Sequence, residues 1–306
     1  MEGPGQKRPA CSDPARPRKR PAGVVSDAVA DLIFDIGANH GQSTERYLQA
    51  GHRVVAVEPN PAAAAALRAR LASFLASGQL IVEERAVWPP GEQASLYVNK
   101  EDSEWSSMFQ AIGARYDTPA QKLSVDTVTL AELYTEYGTP LYVKVDTEGA
   151  DGIVLHQFRG LSAPRFLSFE LNSLEWISTA VSLGYDAFKL IPQSGHQADH
   201  LQDEHGLPES ILGPLGRPLT HAGNFGDAAC GPSGDAGWRS HAELLEEVRG
   251  CCFVHAAADI PAFIAGPPRF VDRDFATLRA CFPVESRSDE EWYDVHCSHP
   301  TYRQGT

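Results

Sequence analysis

The chain has 306 residues, of which 42% are hydrophobic and 22% charged, and its formal net charge is −14. No apolar run is long enough to span a bilayer, so the composition is that of an ordinary globular protein and excludes a transmembrane one. A chain this acidic repels phosphate backbones, so we expect neither a nucleic-acid nor a membrane partner.

The first 27 residues differ in composition from the rest. Residues 1–23 contain six Lys or Arg and two acids, among many prolines, which leaves about −18 for the remainder. Such a segment cannot bury enough apolar surface to offset the entropy of ordering, so residues 1–27 are predicted to be a disordered tail. The basic cluster at Arg16, Arg18, Lys19 and Arg20 also fits a nuclear-import signal, although most short basic tails are merely solvated.

The six cysteines are scattered, late and partly adjacent, unlike the framework of a disulfide-stabilised secreted domain: Cys11, Cys230, Cys251, Cys252, Cys281 and Cys297. A reducing compartment is expected, and the predicted location is the cytoplasm.

Buried strands alternate with helices from residue 31 onward. Short apolar runs predict strands at residues 31–36, 52–60, 80–88, 141–146, 165–172 and 185–193. Between them, cap residues and spacing predict helices at residues 42–51, 60–78, 129–137, 146–158 and 173–184. A hairpin strand is predicted at 94–100, followed by an irregular stretch at 101–123 that is long enough to suggest a function.

This alternation predicts an α/β fold, a doubly wound and mainly parallel Rossmann-like sheet with helices on both faces. Ligands of such folds bind at the carboxyl ends of the strands. We expect the core to span residues 28–195. Residues 196–306 are expected to form a Gly/Pro-rich insertion or lid and a helical extension, with helices at 240–250 and 272–281 and an unclassified tail at 290–300.

The first candidate site follows the first strand, in the run Asp35-Ile-Gly37-Ala-Asn39-His40-Gly41. Two glycines at a strand-to-helix turn let the backbone approach a ligand closely. The spacing lacks the middle glycine of a dinucleotide-binding turn, which disfavours a nicotinamide-dependent oxidoreductase. A purely structural turn is the plainer alternative.

The second strand ends in Glu58-Pro59, at the tip of the neighbouring strand. A carboxylate there can accept both hydroxyls of a ribose, which indicates an adenosine site without naming the cofactor. Residues 84–87, which include Ala86, are expected to lie under the adenine.

The third candidate site ends the fourth strand, in Lys144-Val-Asp146-Thr-Glu148. Strand alternation places Lys144 and Asp146 on one face, and Glu148 follows near a helix N-terminus. Acids here would face the reacting group, whereas a Lys–Asp ion pair that supports the strand end is the structural alternative. Glu170, at the end of the fifth strand, could bind the acceptor or a metal, and a strand-end carboxylate bonded to neighbouring backbone is the structural alternative.

Soft ligands near the end of the chain permit a zinc site, although their spacing matches no standard finger: Cys251, Cys252, His255, His296, Cys297 and His299. Buried thiols and surface imidazoles are the more ordinary explanation.

Together these motifs resemble the FkbM family of methyltransferases. The similarity covers residues 31–195 and rests on FDIGANHGQST, VVAVEPNP, SVDTVTLAEL, LYVKVDTEGADGIVL and FKLIPQ, with a weaker likeness at residues 231–238. The resemblance implies a class I methyltransferase fold, S-adenosyl-L-methionine as cofactor, and methylation of hydroxyls on sugars or small natural products. The family often has Asn-x-Ala after the third strand, where Glu84 precedes Ala86 here.

The resulting hypothesis is an O-methyltransferase acting on a small-molecule or glycan acceptor. The cofactor is assigned to Asp35, Gly37, Asn39, Gly41, Glu58, Pro59 and Ala86, and catalysis to Asp146, Glu148 and His40. No metal site is assigned, since a divalent cation held by the acids is the less favoured variant. A non-catalytic cofactor-binding module is the alternative outside enzymology.

Overall fold

A computed structural model describes residues 29–90, 94–192, 238–254, 284–286 and 293–300. The predicted tail at 1–27, most of the Gly/Pro-rich segment and the predicted helix at 272–281 lie outside these residues. Within them, no helix has both the length and the hydrophobicity needed to cross a membrane.

The strands are β1 Val29–Ile36, β2 Arg53–Val57, β3 Leu80–Glu83, β4 Ala86–Val87, β5 Ala94–Asn99, β6 Ala120–Val125, β7 Thr127–Val128, β8 Pro140–Val145, β9 Phe166–Glu170, β10 Ala187–Pro192, β11 Cys252–Val254, β12 Val284–Ser286 and β13 Tyr293–Ser298. The helices are α1 Gln42–Gln49, α2 Pro61–Arg70, α3 Ala72–Ser77, α4 Gln110–Gly113, α5 Leu130–Tyr137, α6 Asp151–His156, α7 Leu174–Ser182 and α8 His241–Cys251. Two 3₁₀ turns, Ser103–Trp105 and Arg115–Asp117, flank α4.

Seven strands form the central sheet in the order β10-β13-β9-β8-β1-β2-β3. The five strands β9, β8, β1, β2 and β3 are parallel to one another. Strand β13 is antiparallel to both β9 and β10. The strand order reverses between β1 and β8, and this switch point opens a crevice at the carboxyl ends of the strands. The predicted doubly wound, Rossmann-like architecture is confirmed.

Alternate residues of the sheet supply two separate cores. Leu32, Phe34 and Ile36 of β1 pack into a cluster with residues of α5, α6, α7 and α8. Ile33 lies on the opposite face, in a cluster with residues of α1 and α2. Since successive side chains of a strand point to opposite faces, strands buried on both faces read as continuous apolar runs, which is why β1 is recognisable in the sequence.

Strand β13 comes from the tail that the sequence left unclassified. Its run Tyr-Asp-Val-His-Cys-Ser contains few apolar residues, so no hydrophobic pattern marks it, yet Val295 and Cys297 are fully buried. It inserts between β9 and β10 with a register of five and six residue pairs. The central sheet thus includes a strand from beyond residue 195.

Three local expectations differ from the structure. The strand predicted at 80–88 breaks after Glu83, and β4 leaves the sheet to pair with β7. The helix predicted at 60–78 divides at Leu71, whose φ is −108°. The stretch predicted as irregular contains α4 and β6, and β6 pairs with β5 along six residues. Three of the six residues of β6 are polar and exposed, so no hydrophobic pattern marks this strand in the sequence.

We predict that β13 is required for folding. A chain ending at residue 292 loses a strand from the middle of the sheet and exposes the edges of β9 and β10, so it should lose cooperative thermal unfolding. A chain ending at residue 300 keeps every described strand and is the control. Circular dichroism melts of both chains test this; an unchanged melting temperature for the shorter chain would contradict it.

Candidate functional site

A cavity of about 880 Å³ opens at the carboxyl ends of β1, β2, β8 and β9. The amino-terminal end of the antiparallel β13 reaches the same edge and contributes Asp294. Residues 103–116 form part of the wall between the sheet and solvent. The volume lies within the usual range for small-molecule sites, about 300–1,000 Å³.

The turn after β1 is shaped by positive backbone angles. Gly37 has φ +88°, and a Cβ atom at this position would lie 1.6 Å from the backbone oxygen of Asp146. Gly41, with φ +82°, is the N-cap of α1 and packs against Leu67 and Leu71. Only glycine fits at position 37, because any side chain would collide with the backbone that follows β8.

Glu58 joins the end of β2 to this turn. Its Oε2 accepts a hydrogen bond from the backbone N–H of Asn39 at 2.8 Å, and its Oε1 accepts one from that of Asn60 at 2.7 Å. Glu58 is 7% exposed, and burial raises its pKa to about 7. The two hydrogen bonds lower the pKa, but their effect is smaller than that of burial. Asn39 has φ +45°, a conformation uncommon for a residue with a side chain.

The acids of β1 and β8 share one lysine. Lys144 Nζ lies 2.7 Å from Asp146 Oδ2 and 4.0 Å from Asp35 Oδ1. Burial disfavours the lysine's charge, but Asp146 and Asp35 outweigh it and raise the lysine's pKa. Asp35 is fully buried and accepts a hydrogen bond from Thr44 Oγ1 at 2.6 Å, while its Oδ1 has no hydrogen-bond partner among the described residues. The side chain of Asp146 is 45% exposed.

Glu148 follows in a strained turn, with φ +51°. Its carboxylate pairs with Arg115 at 2.7 Å, and its backbone oxygen accepts a hydrogen bond from Ser107 Oγ at 2.6 Å. Burial raises the pKa of Glu148 to about 7, and Arg115 opposes this rise. Arg115 also lies over the ring of Trp105, 5.4 Å from its centroid.

Two more carboxylates line the cavity beyond β8. Glu170 ends β9 and is directly opposite Asp294 of β13 in the strand register. Burial and the neighbouring acids Glu148 and Asp146 raise the pKa of Glu170 well above its ordinary value. Burial, together with Asp146, raises the pKa of Asp294 to about 7. The sequence offered no signal for Asp294, because its strand was not recognised.

The predicted site residues are mostly brought together. The cavity lining includes Asp35, Gly37, Asn39, Glu58, Pro59, Ala86, Asp146 and Glu148. Gly41 lies behind the turn, and His40 is outside the lining, with its Nε2 at 3.5 Å from Ser103 Oγ. Glu84 is also outside it and pairs with Arg68 on the surface.

The N–H of Ala86 is already used in a hydrogen bond within the protein. It donates to the carbonyl of Asp126, and Trp88 N–H donates to that of Val128. Since N–H groups alternate in direction along a strand, the N–H of Val87 points away from β7. Val87, which lines the cavity, is therefore the better placed donor for a base edge.

Residues 103–116 supply the lining that sequence motifs did not identify: Ser103, Glu104, Trp105, Ser106, Met108, Arg115 and Tyr116. The length of this segment was the sole signal. The suggested zinc ligands are not assembled in the described part of the chain, where no group of three or more potential ligands converges. His296 and Cys297 are successive residues of β13 and so point to opposite faces. The side chains of Cys251 and Cys252, and all of His255, lie outside the described part.

The profile of the family described as methyltransferase FkbM domain matches residues 35–183. Residues 35–183 of the chain are therefore similar to an FkbM methyltransferase domain. The matched segment runs from Asp35 to just beyond α7 and contains both glycines of the turn, Glu58 and the acids after β8. The central sheet extends beyond this segment, since β10 and β13 follow residue 183.

A comparison with curated proteins finds no match. Among solved structures, the domain is similar to the precorrin-6y C5,15-methyltransferase of Geobacter metallireducens GS-15, with a TM-score of 0.29 and 14% identity. The similarity covers 53% of this chain and 66%, just under two thirds, of that chain.

We predict that Gly37→Ala destabilises the protein far more than Gly78→Ala. Both glycines have positive φ, so both substitutions cost about 1–2 kcal/mol of backbone strain. A Cβ at Gly78 meets nothing within 4 Å, whereas one at Gly37 collides with the Asp146 backbone. Urea unfolding of both variants measures the difference, and equal losses would show that the close contact at Gly37 is absent.

We also predict a pH-dependent gain in stability from Glu58→Gln. The folded-state pKa of Glu58, about 7, lies above its ordinary value of 4.5. Its contribution to the free energy of unfolding is therefore fully present below about pH 4.5 and is lost as the pH rises through 7. The variant's stability relative to the wild type should thus increase from pH 5 to pH 8.

Unfolding titrations at several pH values test this, with Glu84→Gln, which removes a half-exposed carboxylate outside the cavity, as the control. A stability difference for Glu58→Gln that does not change with pH would refute a buried, proton-binding Glu58.

Proposed function

We propose that the chain is an S-adenosylmethionine-dependent O-methyltransferase that methylates a hydroxyl on a sugar or small natural product. The observation that carries this proposal is the continuity of one cavity. Its β1–β2 end has a buried acid beside a glycine turn, and its β8 end has Asp146 and Glu148. The residues assigned to an adenosine and those assigned to acid–base chemistry thus line the same cavity.

The β1–β2 end fits the cofactor in its polar groups. Glu58 is held by two backbone N–H groups with lone pairs left for a ribose diol. Asp35 Oδ1 and Asn39 Nδ2 are buried and have no hydrogen-bond partner among the described residues. Gly37 holds this end of the cavity against the backbone of Asp146. Buried polar groups without partners are costly, so a ligand that pairs with them binds favourably.

The cofactor, when bound, supplies an electrophilic methyl group on a sulfonium. The chain's residues position the acceptor and manage its proton. Asp146, paired with Lys144 and 45% exposed, is assigned to orient the acceptor hydroxyl. Glu148, with a pKa of about 7, is suited to accept the proton near neutral pH. In-line positioning accounts for most of the rate enhancement in this proposal.

His40 and the alternative functions are less well supported. His40 lies outside the cavity lining, which favours the two carboxylates as bases.

A nicotinamide-dependent oxidoreductase is disfavoured by the residue in the middle of the turn. Binding of a pyrophosphate requires a glycine there, whereas this chain has Asn39, whose N–H donates a hydrogen bond to Glu58.

We predict that Asp146→Asn slows methyl transfer about a hundredfold or more, because it removes the charge that orients the acceptor. Binding of S-adenosylhomocysteine, measured by calorimetry, should change little. Glu58→Ala should do the reverse, abolishing or greatly weakening binding. Turnover is measured with a labelled methyl donor and a panel of glycans and hydroxylated metabolites.

Wild-type turnover in Asp146→Asn would reduce this residue to a structural acid and leave Glu148 as the base. A wild-type rate that changes on adding or chelating magnesium would instead identify the acids as metal ligands. Unchanged cofactor affinity in Glu58→Ala would remove the cofactor assignment.

A further inference from the structure

Among the described residues that line the cavity, acidic side chains outnumber basic ones. The three basic side chains among them already face acids: Arg70 with Glu45, Arg115 with Glu148, and Lys144 with Asp146. Four further lining acids have no cationic ion-pair partner in the described part of the chain: Glu58, Glu104, Glu170 and Asp294. The cavity therefore favours a positively charged ligand.

Two of these acids face each other across the sheet. Glu170 and Asp294 are directly opposite partners of β9 and β13, so their side chains share one face. Burial raises the pKa of both carboxyls, because it disfavours their ionised forms. Asn172 donates one hydrogen bond to Glu170, at 2.9 Å, but carries no charge. A cation placed between the two carboxyls would stabilise their ionised forms.

The cavity rim supplies an aromatic surface independently of the acids. Tyr116 is 80% exposed and is the one large hydrophobic side chain so exposed in the described residues. Its backbone is held at φ +58°, and its ring meets that of Trp105 edge-on at 5.3 Å. Arg115 already lies between the face of Trp105 and the carboxylate of Glu148. An aromatic face beside a carboxylate thus binds a cation here, and Tyr116 offers a second face.

Both acids lie in the half of the cavity assigned to the acceptor, and Tyr116 adjoins this half through its neighbour Arg115, which pairs with Glu148. Glu170 and Asp294 lie on β9 and β13, which are separated by β8 from the strands assigned to the cofactor. No three potential ligands among the described residues converge as a metal ion requires. An organic cation on the acceptor accounts for both the acids and the aromatic rim.

We propose that the acceptor carries a protonated or quaternary amine in addition to the hydroxyl that is methylated, and that Glu170, Asp294 and Tyr116 bind this amine. Amino sugars and amino alcohols are the substrate classes of this chemistry. The assignment of these residues to an acceptor rests on the proposed function; their preference for a cation does not.

The test compares choline with 3,3-dimethyl-1-butanol, which has the same shape and hydroxyl but a carbon in place of the charged nitrogen. Binding of each is measured by calorimetry or ligand-detected NMR, with and without S-adenosylhomocysteine. We expect choline to bind at least about tenfold more tightly, the range of one or two cation–carboxylate or cation–π contacts.

Matched variants locate the site. Glu170→Gln keeps an oxygen for Asn172 but removes the charge, and Tyr116→Ala removes the aromatic face, so each should reduce the preference for choline. Glu136→Gln removes an acid outside the cavity and should leave it unchanged. S-adenosylhomocysteine should bind all three variants as it binds the wild type.

Equal affinity for the two probes, no binding of either, or a preference that survives in Glu170→Gln and Tyr116→Ala would overturn the proposal. A protein that prefers choline but does not bind S-adenosylhomocysteine would contradict the methyltransferase function and leave the cation site standing.

Discussion

The contact between Gly37 and the backbone of Asp146 is the constraint on which the site depends. It brings the turn after β1 against the chain that follows β8, at the point where the strand order reverses, with no space for a side chain between them. The side of the cavity that we assign to the cofactor is thereby held beside the acids that we assign to the acceptor. Catalysis by positioning needs this closeness, because small displacements of reacting groups are costly.

Buried carboxylates are the second organising feature. Glu58, Glu148 and Asp294 have pKa values raised to about 7, mainly by burial. Burial makes the ionised form of each carboxylate unfavourable in the absence of a ligand. The sheet register also places Glu170 opposite Asp294, and neither has a cationic ion-pair partner among the described residues. A fold retains such groups at a cost in stability, and strained or destabilised residues are typical of functional sites. The described part of the chain has four non-glycine residues with positive φ, and three of them, Asn39, Tyr116 and Glu148, line this cavity.

The sequence predicted the parts of the structure that local patterns encode. Strands β1, β2 and β8 are apolar runs, which predicted the fold class. Their carboxyl ends contain Asp35, Glu58 and Asp146, which predicted the location of the candidate site. Strand β13 could not be predicted, since its polar residues are buried by neighbours distant in sequence. Asp294 and Arg115 were missed for the same reason, as only tertiary packing brings them to the cavity. Ala86 was recognised, but the direction of its N–H depends on pairing between β4 and β7.

A crystal structure of the protein with S-adenosylhomocysteine tests the central claim most directly, that this cavity is the methyl-donor site of an FkbM enzyme. The account predicts ribose hydroxyls within about 3 Å of the Glu58 carboxylate, the homocysteine portion against Gly37, and the sulfur directed toward Asp146 and Glu148. A ligand bound elsewhere, or with its ribose away from Glu58, would contradict it.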